Sequence, residues 1–278
     1  MSNFAATLSN TCVKIQQVLN ALEQFAPLPL QESWDNAGLQ IGLTETEVSG
    51  ALLCLDVTEK VIDEAIAKGC NLVVSHHPLL FHGLKQVSDT TDVQRTVRRA
   101  IKNDVCVISM HTNMDNAFGG VNYKMAERLG AVVPGVSPAN AASGGSPAEK
   151  EKHPFVLAEL PHPMSAQAFI ALLKNRFDAK CVRCNELLQR PIRKVAICGG
   201  AGDFMLDEAI AAGADAFITG EMHYHVYFGH EQQIQICVIG HYESEQFTTE
   251  VFRDIIQRDC PGVPTFIAET NTNPINYQ

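Results

Sequence analysis

The chain has 278 residues, 46% of them hydrophobic, with 21 Lys+Arg against 31 Asp+Glu and a formal net charge of −10. That length buries a sizeable core as one large α/β domain or two lobes, and the acidic balance argues against a general nucleic-acid or anionic-membrane surface. No apolar run reaches the roughly 18 residues a bilayer span needs, Met1-Ser2-Asn3-Phe4 lacks the basic and apolar regions of a signal peptide, and nine scattered cysteines suit a reducing compartment, so a cytoplasmic setting is expected.

In chain order, the helical spacing of Cys12, Ile15, Val18, Leu19, Leu22, Phe25 and Ala26 predicts a helix, ended by Pro27-Leu28-Pro29. A turn-rich segment, Ser33 to Gly42, holds the single tryptophan, Trp34. Ala51–Leu55 reads as strand, Glu59–Lys68 as helix and Asn71–Ser75 as strand. A polar helix near Asp92–Lys102, the strand Val105–Met110 and a helix from about Gly120 to Leu129 follow. Residues 134–152, rich in Gly, Ser, Ala and Pro, read as a flexible linker between a lobe at 1–133 and a second at 153–278. Strand, helix and strand signals resume at Phe155–Glu159, Ala166–Phe177 and Val195–Cys198. Strands alternating with helices predict an α/β fold with a mainly parallel sheet covered on both faces.

An internal repeat organises the chain. Asp63-Glu64-Ala65-Ile66-Ala67-Lys68-Gly69 recurs as Asp207-Glu208-Ala209-Ile210-Ala211-Ala212-Gly213, and each copy lies between two strand signals. In the first copy the second strand runs into His76-His77-Pro78; in the second it runs into Gly220-Glu221-Met222-His223-Tyr224-His225. A further strand then delivers a histidine and, four residues on, a carboxylate: His111 and Asp115, then His241 and Glu245. Two matches in the same order predict two similar α/β lobes.

Three clusters thus stand at the carboxyl ends of predicted strands, the edge where open α/β sheets bind ligands. Adjacent side chains on an extended backbone point opposite ways, so His76 and His77 would each reach a different ion. A histidine and a carboxylate at i and i+4 share a face if the chain turns helical. Imidazole with carboxylate suits zinc, iron, manganese or nickel, and a carboxylate lying between two ions would complete a two-metal site. The structural alternatives are hydrogen-bonded histidines, a helix cap at Asp115 and helix-dipole compensation at Glu245. Gly199-Gly200-Ala201-Gly202 is either a phosphate cradle or a tight turn. Cys181-Val182-Arg183-Cys184 lacks a second ligand pair nearby, which favours ordinary thiols over zinc. Glu221 and His225 are candidates for orienting a ligand or moving a proton, or belong to a plain polar loop.

Trp34-Asp35-Asn36-Ala37-Gly38-Leu39, Ser75-His76-His77-Pro78, His111-Thr112-Asn113-Met114-Asp115, Cys198 to Gly202, Thr219 to His225 and Gly240 to Glu245 stand in one order along the chain. This ordered set resembles the dinuclear-metal family named GTP cyclohydrolase 1 type 2 homologues, relatives of an NGG-interacting factor. The resemblance implies two α/β lobes with two divalent metal ions between them. It implies ligands at His76, His77, Asp115, His241 and Glu245, with Glu245 bridging and His111 near the site rather than on the metals. It also implies a homohexameric ring, and the linker at 134–152 occupies the place where longer relatives carry an inserted domain. Glu221 stands where many members have Asp.

The expected function is a metal-dependent hydrolase on a small nucleotide-like substrate, with metal-bound hydroxide as nucleophile and His225 or His111 moving protons. The alternative is a ring-forming metal-binding scaffold or regulatory protein without catalysis. Neither nucleic acid nor membrane is an expected partner.

Overall fold

The computed structural model describes residues 12–145 and 151–278. Helix α1 (Ile15–Phe25) and strand β1 (Gly38–Ile41) precede a β–α–β–α–β unit: β2 (Ala51–Cys54), α2 (Glu59–Ala67), β3 (Leu72–Ser75), α3 (Asp92–Lys102) and β4 (Cys106–Ser109). Then come α4 (Thr112–Asp115), α5 (Val121–Leu129) and α6 (Pro138–Ala142). The second unit comprises β5 (Val156–Met164), α7 (Ala166–Phe177), β6 (Arg183–Cys184), β7 (Ile192–Cys198), α8 (Leu206–Ala211), β8 (Ala216–Thr219), β9 (Gln235–Val238) and α9 (His241–Glu245). Helix α10 (Thr248–Asp259) and strand β10 (Thr265–Ile267) follow.

Two five-stranded sheets form, in the orders β1-β4-β3-β2-β10 and β5-β7-β8-β9-β6. Each has a parallel three-strand centre, β2-β3-β4 in one and β7-β8-β9 in the other. An antiparallel strand flanks the last member of each trio, β1 beside β4 and β6 beside β9. The repeat read from the sequence is therefore a repeat of architecture, and the molecule is a two-lobed α/β protein. Of these six central strands, β2, β3, β4, β8 and β9 are buried along their whole length, as parallel strands covered on both faces should be, while β7 exposes Arg193 and Lys194 near its start.

Strand alternation divides each sheet between two cores. Leu53, Leu72, Val74 and Ile108 face α1 and α10, while Leu52, Val73 and Val107 face α2 and α3. In the second sheet Val195, Ile197 and Ile218 face α7, while Ala196, Phe217 and Ile236 face α8. Helix α5 joins the two cores, with Val121 in one and Met125, Ala126 and Leu129 in the other.

Three strands escaped the sequence. β1 carries Gly and Gln, β6 has two residues, and β10 is three residues long and largely exposed. β10 pairs parallel with β2, and α10 packs on α1, so the last helix and strand serve the first sheet although the predicted boundary at 153 puts them in the second lobe. Within 134–152 the small residues predict no packed element, yet α6 forms there. Ser137 Oγ accepts from the Asn140 amide at its start and Pro138 fills its first position. Residues 146–150 of that stretch lie outside the described residues.

Phe252 on α10 is fully buried where α1, α10 and the first sheet meet. Phe252→Ala should cost about 3–5 kcal/mol of unfolding free energy, measured by urea denaturation.

Candidate metal centre

Sheet register brings the predicted clusters to one edge. Cys54, Ser75 and Ser109 lie abreast at the ends of β2, β3 and β4, so His76-His77 and Met110-His111 leave the first sheet side by side. In the second sheet Thr219 lies beside Val238, and Ile239-Gly240 leads from β9 into α9. His241 opens α9 and Glu245 closes it, which puts both on one helical face. Glu245 is buried and reaches the histidines of the other lobe.

The distances define two triads that share Glu245. His76 Nε2 lies 3.6 Å from Asp115 Oδ1 and 3.6 Å from Glu245 Oε1. His77 Nε2 lies 3.0 Å from Glu245 Oε2, and His241 Nε2 lies 3.1 Å from the same oxygen and 3.3 Å from His77 Nε2. His76, Asp115 and Glu245 form one group able to hold a metal ion, His77, His241 and Glu245 a second, and His76, His77 and His111 an overlapping third. His76 and His77 face different oxygens of one carboxylate, while the third group shows that their ring nitrogens also approach each other.

Protons on the far side of each ring set what the near side can do. His76 Nδ1 faces the Met110 carbonyl at 2.9 Å, and His77 Nδ1 faces Asp56 Oδ1 at 2.8 Å. His111 Nδ1 faces Asp35 Oδ1 at 2.7 Å, and His241 Nδ1 faces Glu221 Oε1 at 3.0 Å. All four partners are acceptors, so in the neutral ring each Nδ1 carries the hydrogen and each Nε2 keeps a lone pair. Metal-ligating histidines are held in this way, with the other ring nitrogen donating to a carboxylate or carbonyl. His76 Nε2 and Asp115 Oδ1 are shut from solvent without a hydrogen-bond partner among the described residues. Buried polar atoms are otherwise nearly always satisfied, so this donor set fits divalent cations.

Electrostatics point the same way. Burial opposes ionisation of Glu245, but His76, His241 and His77 outweigh it and hold the carboxyl well below its usual range. Burial and the charge of Glu245 push Asp115 well above its own. Burial lowers His76. Burial also works against the charged forms of His77 and His241, yet Asp56 and Glu245 raise the first to about 10, and Glu245 raises the second to about 9. Asp35 drops to about 2, burial being outweighed by His111 and Thr112.

The Gly199-Gly200-Ala201-Gly202 loop is a tight turn rather than a phosphate cradle. Its amides donate to side chains of the protein: Gly199 to Asn122, Gly200 to Ser244 and Gly202 to Thr219. Gly200 has φ +59°, and a Cβ there would collide with Glu245 Oε1. The glycine makes room for the shared carboxylate. Cys181 and Cys184 are exposed thiols outside the candidate ligand groups of the described residues.

His225 lies apart from the ring cluster. It is exposed on the turn Tyr224–Tyr227, with its ring against Tyr224 and Phe228. His111 sits inside the cluster, its ring centroid 5.3 Å from His76 and 5.4 Å from His77. Sequence reasoning missed the roles of Asp35 and Asp56. Asp35 stands in the quoted Trp34-Asp35-Asn36 motif, and Asp56 directly follows a strand end, as the candidate ligands do; that position was the available signal.

The Duf34/NIF3 (NGG1p interacting factor 3) family pattern matches residues 13–274. A Clostridium perfringens protein named GTP cyclohydrolase 1 type 2 homolog is 34% identical over 237 residues, covering 84% of this chain and 87% of its own. A Campylobacter jejuni protein of the same name is 30% identical, covering 95% of this chain and 100% of its own. A crystal structure of a Staphylococcus aureus protein superposes with a TM-score of 0.83 at 26% identity, covering 95% of this chain and 99% of that one.

Asp56→Asn should leave the fold intact and weaken divalent-ion binding roughly 10–100-fold in chelator competition, because His77 loses the carboxylate that fixes its ring. With His77 raised to about 10 and His241 to about 9, the ion-free rings carry protons at neutral pH that an arriving ion must displace. Affinity should therefore climb as pH rises towards 9, with protons released on binding. Titration calorimetry in buffers of different ionisation enthalpy reads both.

Proposed function

The chain belongs to the Duf34/NIF3 family, and from that membership and the converging ligand set we propose a divalent-metal-dependent hydrolase acting on a small nucleotide-like substrate. The observation that carries the reading is the set of four imidazoles with engaged Nδ1 atoms and inward Nε2 atoms around two carboxylates. In this proposal His76 and Asp115 would hold one ion and His77 and His241 the other, with Glu245 a ligand for both. Such ions supply Lewis acidity: they polarise a substrate oxygen and make water acidic enough to act as nucleophile near neutral pH.

The chain's own residues supply orientation and proton handling. Asp56, itself held by the Thr272 hydroxyl at 2.7 Å, orients His77, and Glu221 orients His241. His111, fixed through Nδ1 by Asp35, is assigned the proton transfer at Nε2. His225 is a less direct choice, since its ring rests on Tyr224 and Phe228. The nucleotide class comes from the name the relatives carry, GTP cyclohydrolase 1 type 2 homolog. Among the described residues no helix is long and apolar enough to cross a membrane.

Glu245→Ala should abolish both ion retention and turnover; elemental analysis that still finds two ions per subunit would refute the bridging role. Wild-type protein loaded with zinc, manganese or iron(II) should hydrolyse at least one member of a panel of nucleotides and phosphoesters. Inactivity across that panel with ions bound would favour the scaffold reading. Mass photometry should find the ring of six that the family resemblance carries into this proposal.

A further inference from the structure

Two cavities lie on the second-lobe side of the candidate metal centre, the first lined by His241 and the second sharing Arg183 and Met222 with it. The first, of about 470 Å³, is lined by His241, Glu221 and Gly240 together with Arg183, Ile275 and Tyr277, and the Tyr277 hydroxyl lies beside Gly240. The second, also about 470 Å³, has Arg183 and Met222 in common with the first and continues to Tyr224, Tyr227 and Phe228. No member of the candidate ligand groups lines the second cavity. Arg183 therefore stands at the junction, between the ligand cluster and an aromatic end.

Arg183 is held there by the sheet. It lies on β6 opposite Val238 of β9, the strand that leads into His241. It is exposed and makes no ion pair among the described residues, while its charge acts on Tyr277 of the first cavity and Tyr227 of the second. The acids of the first cavity are already engaged, Glu221 with His241 and Asp203 with His223. An anion in that space therefore meets one open guanidinium, the side chain best shaped to take a phosphate.

The far end suits a flat ring. Tyr224 and Phe228 are 72% and 57% exposed, with ring centroids 5.4 Å apart at 70°. Tyr227 Oη is buried without a hydrogen-bond partner among the described residues. Glu186 and Glu231 also line this end. Carboxylates repel a phosphate but accept hydrogen bonds from the amino and imino groups of a heterocycle. The charges thus orient a bound molecule, ring outward and anion inward.

We propose that the two cavities form one cleft that binds a heterocycle bearing a phosphate, with Arg183 on the phosphate and Tyr224 and Phe228 against the ring. This inference rests on the hydrolase reading for its chemistry and gives it a direction: the phosphate end, not the ring, meets the His77–His241–Glu245 group. The bond cleaved is then a phosphate ester. Water adds its oxygen to phosphorus, the bond from phosphorus to the sugar oxygen breaks, and one proton of that water passes to the sugar oxygen. A nucleoside and inorganic phosphate leave, and no formate is released from the ring.

The test uses full-length, ion-loaded protein and three probes: guanosine, inorganic phosphate and a phosphonate analogue of GMP that resists hydrolysis. Arg183→Gln should weaken the analogue and inorganic phosphate about tenfold and leave guanosine binding unchanged. The double variant Tyr224→Ala, Phe228→Ala should weaken guanosine and the analogue about tenfold and leave inorganic phosphate unchanged. Both variants should keep the wild-type ion content. Unchanged analogue binding in both, or no analogue binding to the wild type, overturns the cleft. So does a fall in assembly mass with unchanged probe binding, which would give the aromatic rings to a contact between copies of the chain. If those failures come with intact ion-dependent phosphoester turnover, the cleft falls and the hydrolase reading stands. If the binding losses appear as stated but no phosphoester is turned over, the cleft stands and the hydrolase reading falls. Formate rather than phosphate released from GMP refutes the orientation.

Discussion

A buried carboxylate surrounded by imidazoles from both halves of the chain is the constraint on which this structure depends. Glu245 is 3% exposed, and removing a carboxylate from water costs several kcal/mol unless positive charge meets it. His76 and His77 come from the first sheet and His241 from the helical turn that carries Glu245 itself. The stabilisation of that charge therefore exists only when the carboxyl ends of the two sheets face one another. Ion pairs of this kind are poor sources of net stability, and the orphaned His76 Nε2 and Asp115 Oδ1 beside Glu245 show that side chains alone leave the cluster unsatisfied. The apolar cores must supply the free energy that holds it.

The architecture meets that requirement by crossing between its own halves. Helix α5 shares its apolar face between both cores, so neither sheet completes its packing without the other. After Glu245 the chain returns through α10 and β10 to the first sheet, where α10 packs on α1 and β10 extends the sheet beside β2. The tail beyond β10 then reaches the site: Thr272 donates to Asp56 at 2.7 Å and Asn273 donates to Glu243 at 3.1 Å. A duplicated unit thus has its second copy tied into the first, and the crossing tail holds Asp56, the acid behind His77.

What could be read from the residues alone follows from how local each signal is. The central strands are short apolar runs with helices between them, and the two copies of Asp-Glu-Ala-Ile-Ala support one another, so the repeat and the strand-end histidines stood out. α3 forms over the predicted range because Thr91 caps it and Arg99 and Lys102 sit in its last turn. β1, β6 and β10 are edges whose pairing comes from tertiary contact rather than from their own pattern. Asp35 and Asp56 escaped for the same reason. Nothing near Asp35 in sequence says that its carboxylate will accept from His111, or near Asp56 that His77 will lie within 2.8 Å. A ligand bears a residue type and a strand end; the acid that orients it bears only a location in space.

The two triads are not equivalent in exposure. His76 has no exposed surface, and its Nε2 meets Asp115 and Glu245 in the interior. His241 keeps 31% of its side chain exposed, and Glu221, which orients it, keeps 55%. Both of the latter line the 470 Å³ cavity beneath β6 and the tail. An ion held by His77, His241 and Glu245 would therefore face that cavity, whereas one held by His76, Asp115 and Glu245 would sit behind it.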